Sequence, residues 1–171
     1  MMVAQLEELV QELQKRPVPG KRVIAWVGDK ETLYQHIPKE MTTELALSHL
    51  PIDQKDILNE KKLQKALQTE LNKALQKCYS QLSAQGILLV LDAELLARYR
   101  IGLQPFYDYF VGDRTMTILI ISSAKINIDA NLRGYFTLDE GSVLSYFKPL
   151  LAQNDHIVAA ADADADEGEA T

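Results

Sequence analysis

Hydrophobic positions along the chain change period from block to block. Leu6, Leu9, Val10 and Leu13 fall on one helical stripe, which predicts an N-terminal helix over 1–16, cut off by the prolines and glycine of "RPVPGK". Val23–Val27 is apolar without interruption and predicts a buried strand. Glu31–His36 fits a short helix ended by Pro38, and Thr43–Ser48 alternates weakly behind a β-branched start, which predicts a strand. Over residues 59–84, Leu63, Leu67, Leu71, Ala74, Cys78 and Leu82 recur at helical steps, with Asn59 placed as N-cap. Gly86 then breaks the pattern before Ile87–Leu91, a second continuous apolar run, and Thr117–Ile121 is a third.

The remaining segments are less regular. Residues 93–110 return to a helical pattern interrupted near Gly102 and Pro105, and Phe106, Tyr107, Tyr109 and Phe110 are expected to pack rather than to form a stacking platform. Residues 111–115 read as a turn, "YFTL" as a final strand, and Gly141–Leu151 as a last helix. Unalternating strands are those covered on both faces, so the three continuous runs are expected at the centre of a sheet. The alternation of helix and strand predicts an α/β fold in three layers. Its sheet is expected to be mainly parallel, with about five strands and helices on both faces.

Composition sharpens this picture at the C-terminus. The chain has 171 residues, 47% of them hydrophobic, enough for one ordinary domain over 1–154. Its net charge of −6 is concentrated in residues 155–171, where Asp155, Asp162, Asp164, Asp166, Glu167 and Glu169 stand without a lysine or arginine. Setting those six aside leaves 18 acids and 18 bases. The span 155–171 therefore reads as an acidic disordered tail. Strong DNA binding by the chain alone is not expected from a neutral body. No apolar run is long enough for a membrane span. The first residues lack a signal-peptide pattern, and the single Cys78 lies on an apolar stripe, so a cytoplasmic location is expected.

The candidate chemistry lies where the three strong strands end, since ligands of open α/β sheets bind beyond the carboxyl ends of the strands. The first strand ends at Gly28, followed by Asp29, Lys30, Glu31 and Thr32; the second ends at Asp92, with Glu94 two residues on; the third ends at Ser122 and Ser123. Backbone N–H groups after Gly28 and the Lys30 ammonium suit phosphate, Thr32 stands where a nucleotide site wants a hydroxyl, Asp92 suits magnesium, Glu94 a water, and Ser122 a terminal phosphate. His36, His49 and His156 lack metal-ligand spacing. The tail stretch "DADADE" lacks the glycine and the bidentate glutamate of a calcium loop.

Over roughly residues 20–150 this layout resembles the P-loop NTPases, in particular small AAA-type domains. "ILLVLDAE" is similar to a Walker B strand and "TILIISS" to the sensor strand that follows it. With its terminal "GYFTLDEGSVLSYFKPLL", the chain also resembles the BrxF-type P-loop proteins of BREX anti-phage systems. The departure is at the phosphate loop. A working loop reads G-x-x-x-x-G-K-[ST], about four residues longer than the G-D-K-E-T found here. The second glycine is absent, and Lys30 and Thr32 are not adjacent. Asp29 and Glu31 would bring negative charge to any phosphate.

The resemblance with its degenerate Walker A therefore implies a pseudo-ATPase. It would be a non-catalytic adaptor or regulatory subunit of a larger prokaryotic assembly of the antiviral-defence kind. It would bind protein partners, a true ATPase among them, and need no cofactor. A homo-oligomer is compatible with this. Two alternatives stand beside it. One is a magnesium-dependent nucleotide hydrolase or nuclease using Asp92 and Glu94, for which ATP and magnesium would be required. The other is a nucleic-acid mimic built on the acidic tail.

Overall fold

The computed structural model describes residues 23–57, 59–82, 86–108, 116–121, 126–127, 137–138, 140–151 and 157–159. In chain order these form β1 (Val23–Val27), α1 (Lys30–Leu33), β2 (Thr42–Ala46), α2 (Gln54–Ile57), α3 (Glu60–Gln81), β3 (Ile87–Leu91), α4 (Glu94–Arg98), α5 (Gln104–Asp108), β4 (Met116–Ile121), β5 (Ile126–Asn127), β6 (Thr137–Leu138), α6 (Glu140–Leu151) and β7 (Ile157–Ala159). A parallel sheet runs in the order β2-β3-β4-β1 and is extended beside β1 by the short β7. The chain is an α/β protein. The three continuous apolar runs are its interior strands, as their lack of alternation predicts.

Side chains of the interior strands divide between two faces. Val23, Ala25, Leu88, Val90, Leu119 and Ile121 point to the first face, where Leu63, Leu67 and Leu71 of α3, Leu95 of α4, Phe106 of α5 and Val143 of α6 pack on them. Ile24, Trp26, Ile87, Leu89, Ile118 and Ile120 point to the second face, where Leu33 of α1 and Ile37 join them. The long helices thus lie on the first face and the four-residue α1 on the second.

This division follows from crossover handedness. The steps β2 to β3, β3 to β4, and β4 across β1 to β7 all move the same way over the sheet, and their helices share one face. The step from β1 back to β2 moves the opposite way, and a right-handed crossover then requires the opposite face. At the carboxyl edge, the chain leaves β1 toward the second face, while α6, in the β4-to-β7 connection, lies on the first. That reversal marks the crevice between adjacent strands where α/β sheets take ligands.

Local readings are corrected in several places. On α3 the buried stripe is Leu63, Leu67, Leu71, Leu75 and Tyr79, while Ala74, Cys78 and Leu82 are only partly buried beside it. Steps of four overshoot a 3.6-residue turn by about 40°, so the buried face winds along the helix instead of holding to one line. Asn59 caps the helix as expected, its Oδ1 accepting the Lys62 N–H at 3.1 Å. "YFTL" does not supply a strand of the main sheet: Thr137–Leu138 pairs antiparallel with Ile126–Asn127 in a separate two-stranded ribbon. Within the span read as an acidic tail, Ile157–Ala159 pairs in parallel with Ala25–Val27. These three apolar residues find a partner in β1 despite their acidic surroundings. The expected N-terminal helix, the 111–115 turn, the Tyr109–Phe110 pair, Ser122 and Ser123, and the acids from Asp162 onward all lie outside the described residues.

Candidate functional site at the carboxyl edge of the sheet

β1 continues its ladder one residue beyond its end, the Gly28 N–H donating to the Ile121 carbonyl of β4 at 2.8 Å. The chain then turns sharply into α1. Trp26, wholly buried on the second face, donates its indole N–H to the Asp29 carbonyl at 2.9 Å and so fixes the turn from beneath.

Asp29 is the N-cap of α1. Its extended backbone (φ −86°, ψ 164°) lets Oδ1 accept the Thr32 N–H at 2.8 Å, and the same oxygen accepts the Thr32 hydroxyl. The hydroxyl bond and then the backbone bond stabilise the ionised form and hold the carboxyl below its ordinary value. The Thr32 N–H that a phosphate would seek at this helix start is therefore already bound to an anion belonging to the chain itself.

Lys30 does not turn toward the carboxyl edge. It reaches over the second face to Glu44 of the edge strand β2, its Nζ 3.3 Å from both carboxylate oxygens. Glu44 stands in register with Leu89, a residue of the second face, and also accepts the Tyr34 hydroxyl at 2.6 Å. That hydrogen bond, reinforced by Lys30, holds the Glu44 carboxyl below its ordinary value against partial burial. Asp29 and Glu31 flank Lys30 in sequence. The ion pair is instead with Glu44, because the crossover carries α1 over β2.

Asp92 lies where expected, at the end of β3, which is separated from β1 only by β4. Its backbone is thus about 10 Å, two strand spacings, from that of β1. Its φ of 59° is in the left-handed region, which aspartate tolerates better than most residues. This conformation turns the chain abruptly from strand to helix: the Ala93 N–H donates to Ile120 at 3.3 Å, and the Leu95 N–H returns to the Asp92 carbonyl at 3.0 Å. One carboxylate oxygen, Oδ2, accepts the Ser48 N–H at 3.3 Å and also the Ser48 hydroxyl. Ser48 is buried in the 3-10 turn Leu47–His49 that follows β2, so parallel pairing of β2 with β3 brings it beside Asp92.

Glu94 is not at the open edge. It is 2% exposed, in the first turn of α4, enclosed where a water-orienting carboxylate would need access. Among the described residues no three His, Cys, Asp or Glu side chains converge as a metal-binding set. Among the described residues at this edge, those expected to meet a triphosphate are engaged within the chain. The helix start is capped by Asp29, the Thr32 hydroxyl is spent on that cap, and the Lys30 ammonium is held by Glu44.

Sequence reasoning missed Ser48, whose role depends on a strand neighbour far away in the chain, and Glu44, whose role depends on the path of the β1-to-β2 crossover. It weighed Asp29 only as a repelling charge. An aspartate directly before a helical run is an N-cap signal, and that signal was legible. No helix among the described residues is long and apolar enough to cross a membrane. Comparison with protein-family models, with curated proteins and with solved structures gives no match.

Proposed function

We propose that this chain is a non-catalytic, NTPase-like adaptor or regulatory subunit of a larger prokaryotic assembly, of the kind that anti-phage defence systems form. One observation carries the reading: the Asp29 carboxylate caps the helix that follows the first strand, where an NTPase would receive phosphate. The surrounding arrangement supports it. A strand-end aspartate, Asp92, lies two strands away at the same edge, an arrangement that agrees with a nucleotide-site scaffold whose cradle has given way to an internal anion. Phosphoryl transfer depends on positioning the phosphate chain, and neither Lys30 nor Thr32 is available for that. The hydrolase reading has less support, because Glu94 is enclosed.

The test is titration of ATP and magnesium into the purified chain, together with a phosphate-release assay and an Asp92→Ala control. Neither binding at about 1–100 µM nor turnover is expected. Micromolar binding abolished by Asp92→Ala overturns the proposal. The adaptor half is tested by adding the chain to an ATPase encoded beside it. A changed ATPase rate is expected, and an unchanged rate with no complex formed overturns that half.

A further inference from the structure

We propose that the groove between α3, α4 and α6 is a binding site for a small molecule bearing a phosphate group. It is separate from the carboxyl-edge crevice and independent of the reading above. The groove has a volume of about 780 Å³, within the size range of small-molecule sites. Among the described residues its charged lining consists of Lys61, Arg98 and Arg100 against the carboxylate of Glu60, in a chain whose net charge is −6. Ser142 and Ser145 add hydroxyls on the α6 side. With Arg98 paired to Glu60, Lys61 and Arg100 remain as the surplus, which with hydroxyl groups opposite suits a dianionic oxygen ligand, and arginine matches phosphate oxygens with paired N–H donors.

All three cations are exposed; Arg98 is held by contacts within the chain, and Arg100 is placed by its backbone. Glu60 accepts Arg98 Nη1 at 2.6 Å, and the Arg98 guanidinium lies 5.1 Å from the centre of the Tyr99 ring. Arg100 has φ 53°, a left-handed conformation sparsely used by residues with a Cβ. The turn that holds it is braced from both flanking helices. Gln64 of α3 donates to the Tyr99 carbonyl at 2.7 Å, and Tyr146 of α6 donates to the Ile101 carbonyl at 2.7 Å. Arg100 is the residue between those two carbonyls, so both clamps fix the point from which its side chain enters the groove.

Isothermal titration of the full chain with inorganic phosphate, phenyl phosphate and acetate tests this. Binding of a phosphate probe with a Kd of about 1 mM or tighter is expected, with acetate at least about tenfold weaker. Equal affinity for the two phosphate probes assigns the site to phosphate itself, and tighter phenyl phosphate binding to a phosphate ester. Arg100→Gly removes the guanidinium while suiting the positive φ, so it is expected to fold with an unchanged or higher urea midpoint and to bind about tenfold more weakly. Wild-type affinity in Arg100→Gly, or no binding of either phosphate probe, overturns the proposal. Because this substitution is remote from Gly28 and Asp92, its outcome leaves the nucleotide experiment untouched.

Discussion

The Asp29 carboxylate accepts both the backbone N–H and the hydroxyl of Thr32, so α1 begins on a negative charge supplied by its own chain. Asp29→Ala removes that cap and is expected to cost about 0.5–1 kcal/mol, measured by urea denaturation. Asp29→Asn keeps an oxygen acceptor and should cost less. Neither substitution is expected to create ATP binding, since removing one charge does not supply the nest of backbone N–H groups that wraps a phosphate.

The Glu44 cluster should make stability depend on acid. Its folded-state carboxyl titrates below the ordinary 4.5, with the Tyr34 hydrogen bond the main cause. The folded state therefore holds its proton less tightly than the unfolded chain. The associated stability is fully present above pH 4.5 and is lost as pH falls through the folded value. Asp29 adds a loss of the same sign below its ordinary 3.8. Urea midpoints followed from about pH 6 down to about pH 3 should fall less steeply in Glu44→Gln than in the unsubstituted chain.

Substitutions at Asp92 should rank by backbone as well as by side chain. Asp92→Asn keeps an acceptor for Ser48 and tolerates positive φ, so it is expected to lose least. Asp92→Gly loses both hydrogen bonds but suits φ 59°. Asp92→Ala loses the bonds and keeps the strain, for a cost of about 1–3 kcal/mol. An Asp92→Ala variant as stable as Asp92→Asn in thermal denaturation would contradict this.

Tyr79 and Thr117 form a buried polar contact in the first-face core. The Tyr79 hydroxyl meets the Thr117 hydroxyl and lies 3.5 Å from the Phe106 carbonyl, and burial pushes the phenol well above its ordinary value. Tyr79→Phe strands the buried Thr117 hydroxyl and should cost about 1–2 kcal/mol. Adding Thr117→Val removes the stranded group, so the double variant is expected to be more stable than the sum of the single losses predicts. A double-mutant cycle in urea measures the coupling.

How far the sequence was legible depended on the range of each interaction. Ile87–Leu91 could be placed at the sheet centre because burial on both faces is written into five consecutive residues. Asn59 could be placed as a cap for the same local reason. Ile157–Ala159 escaped because three apolar residues beside an acidic stretch carry little periodic signal, and β1 alone makes them a strand. The pairing of Lys30 with Glu44 escaped because it depends on the face over which the β1-to-β2 crossover runs, and that of Ser48 with Asp92 because it depends on which strands become neighbours. Parallel pairing joins residues dozens of positions apart, and no local pattern announces it.

The buried Trp26 that fixes the Asp29 turn is also the chain's single tryptophan. Its indole sits in an apolar setting beneath the Gly28–Asp29 turn, 6.2 Å between ring centres from His36. All tryptophan fluorescence of the protein therefore originates at that turn. Its emission should be blue-shifted and shielded from aqueous quenchers, and any partner that prises the turn open should register as a red shift. The chain carries its own optical gauge at the turn from β1 into α1.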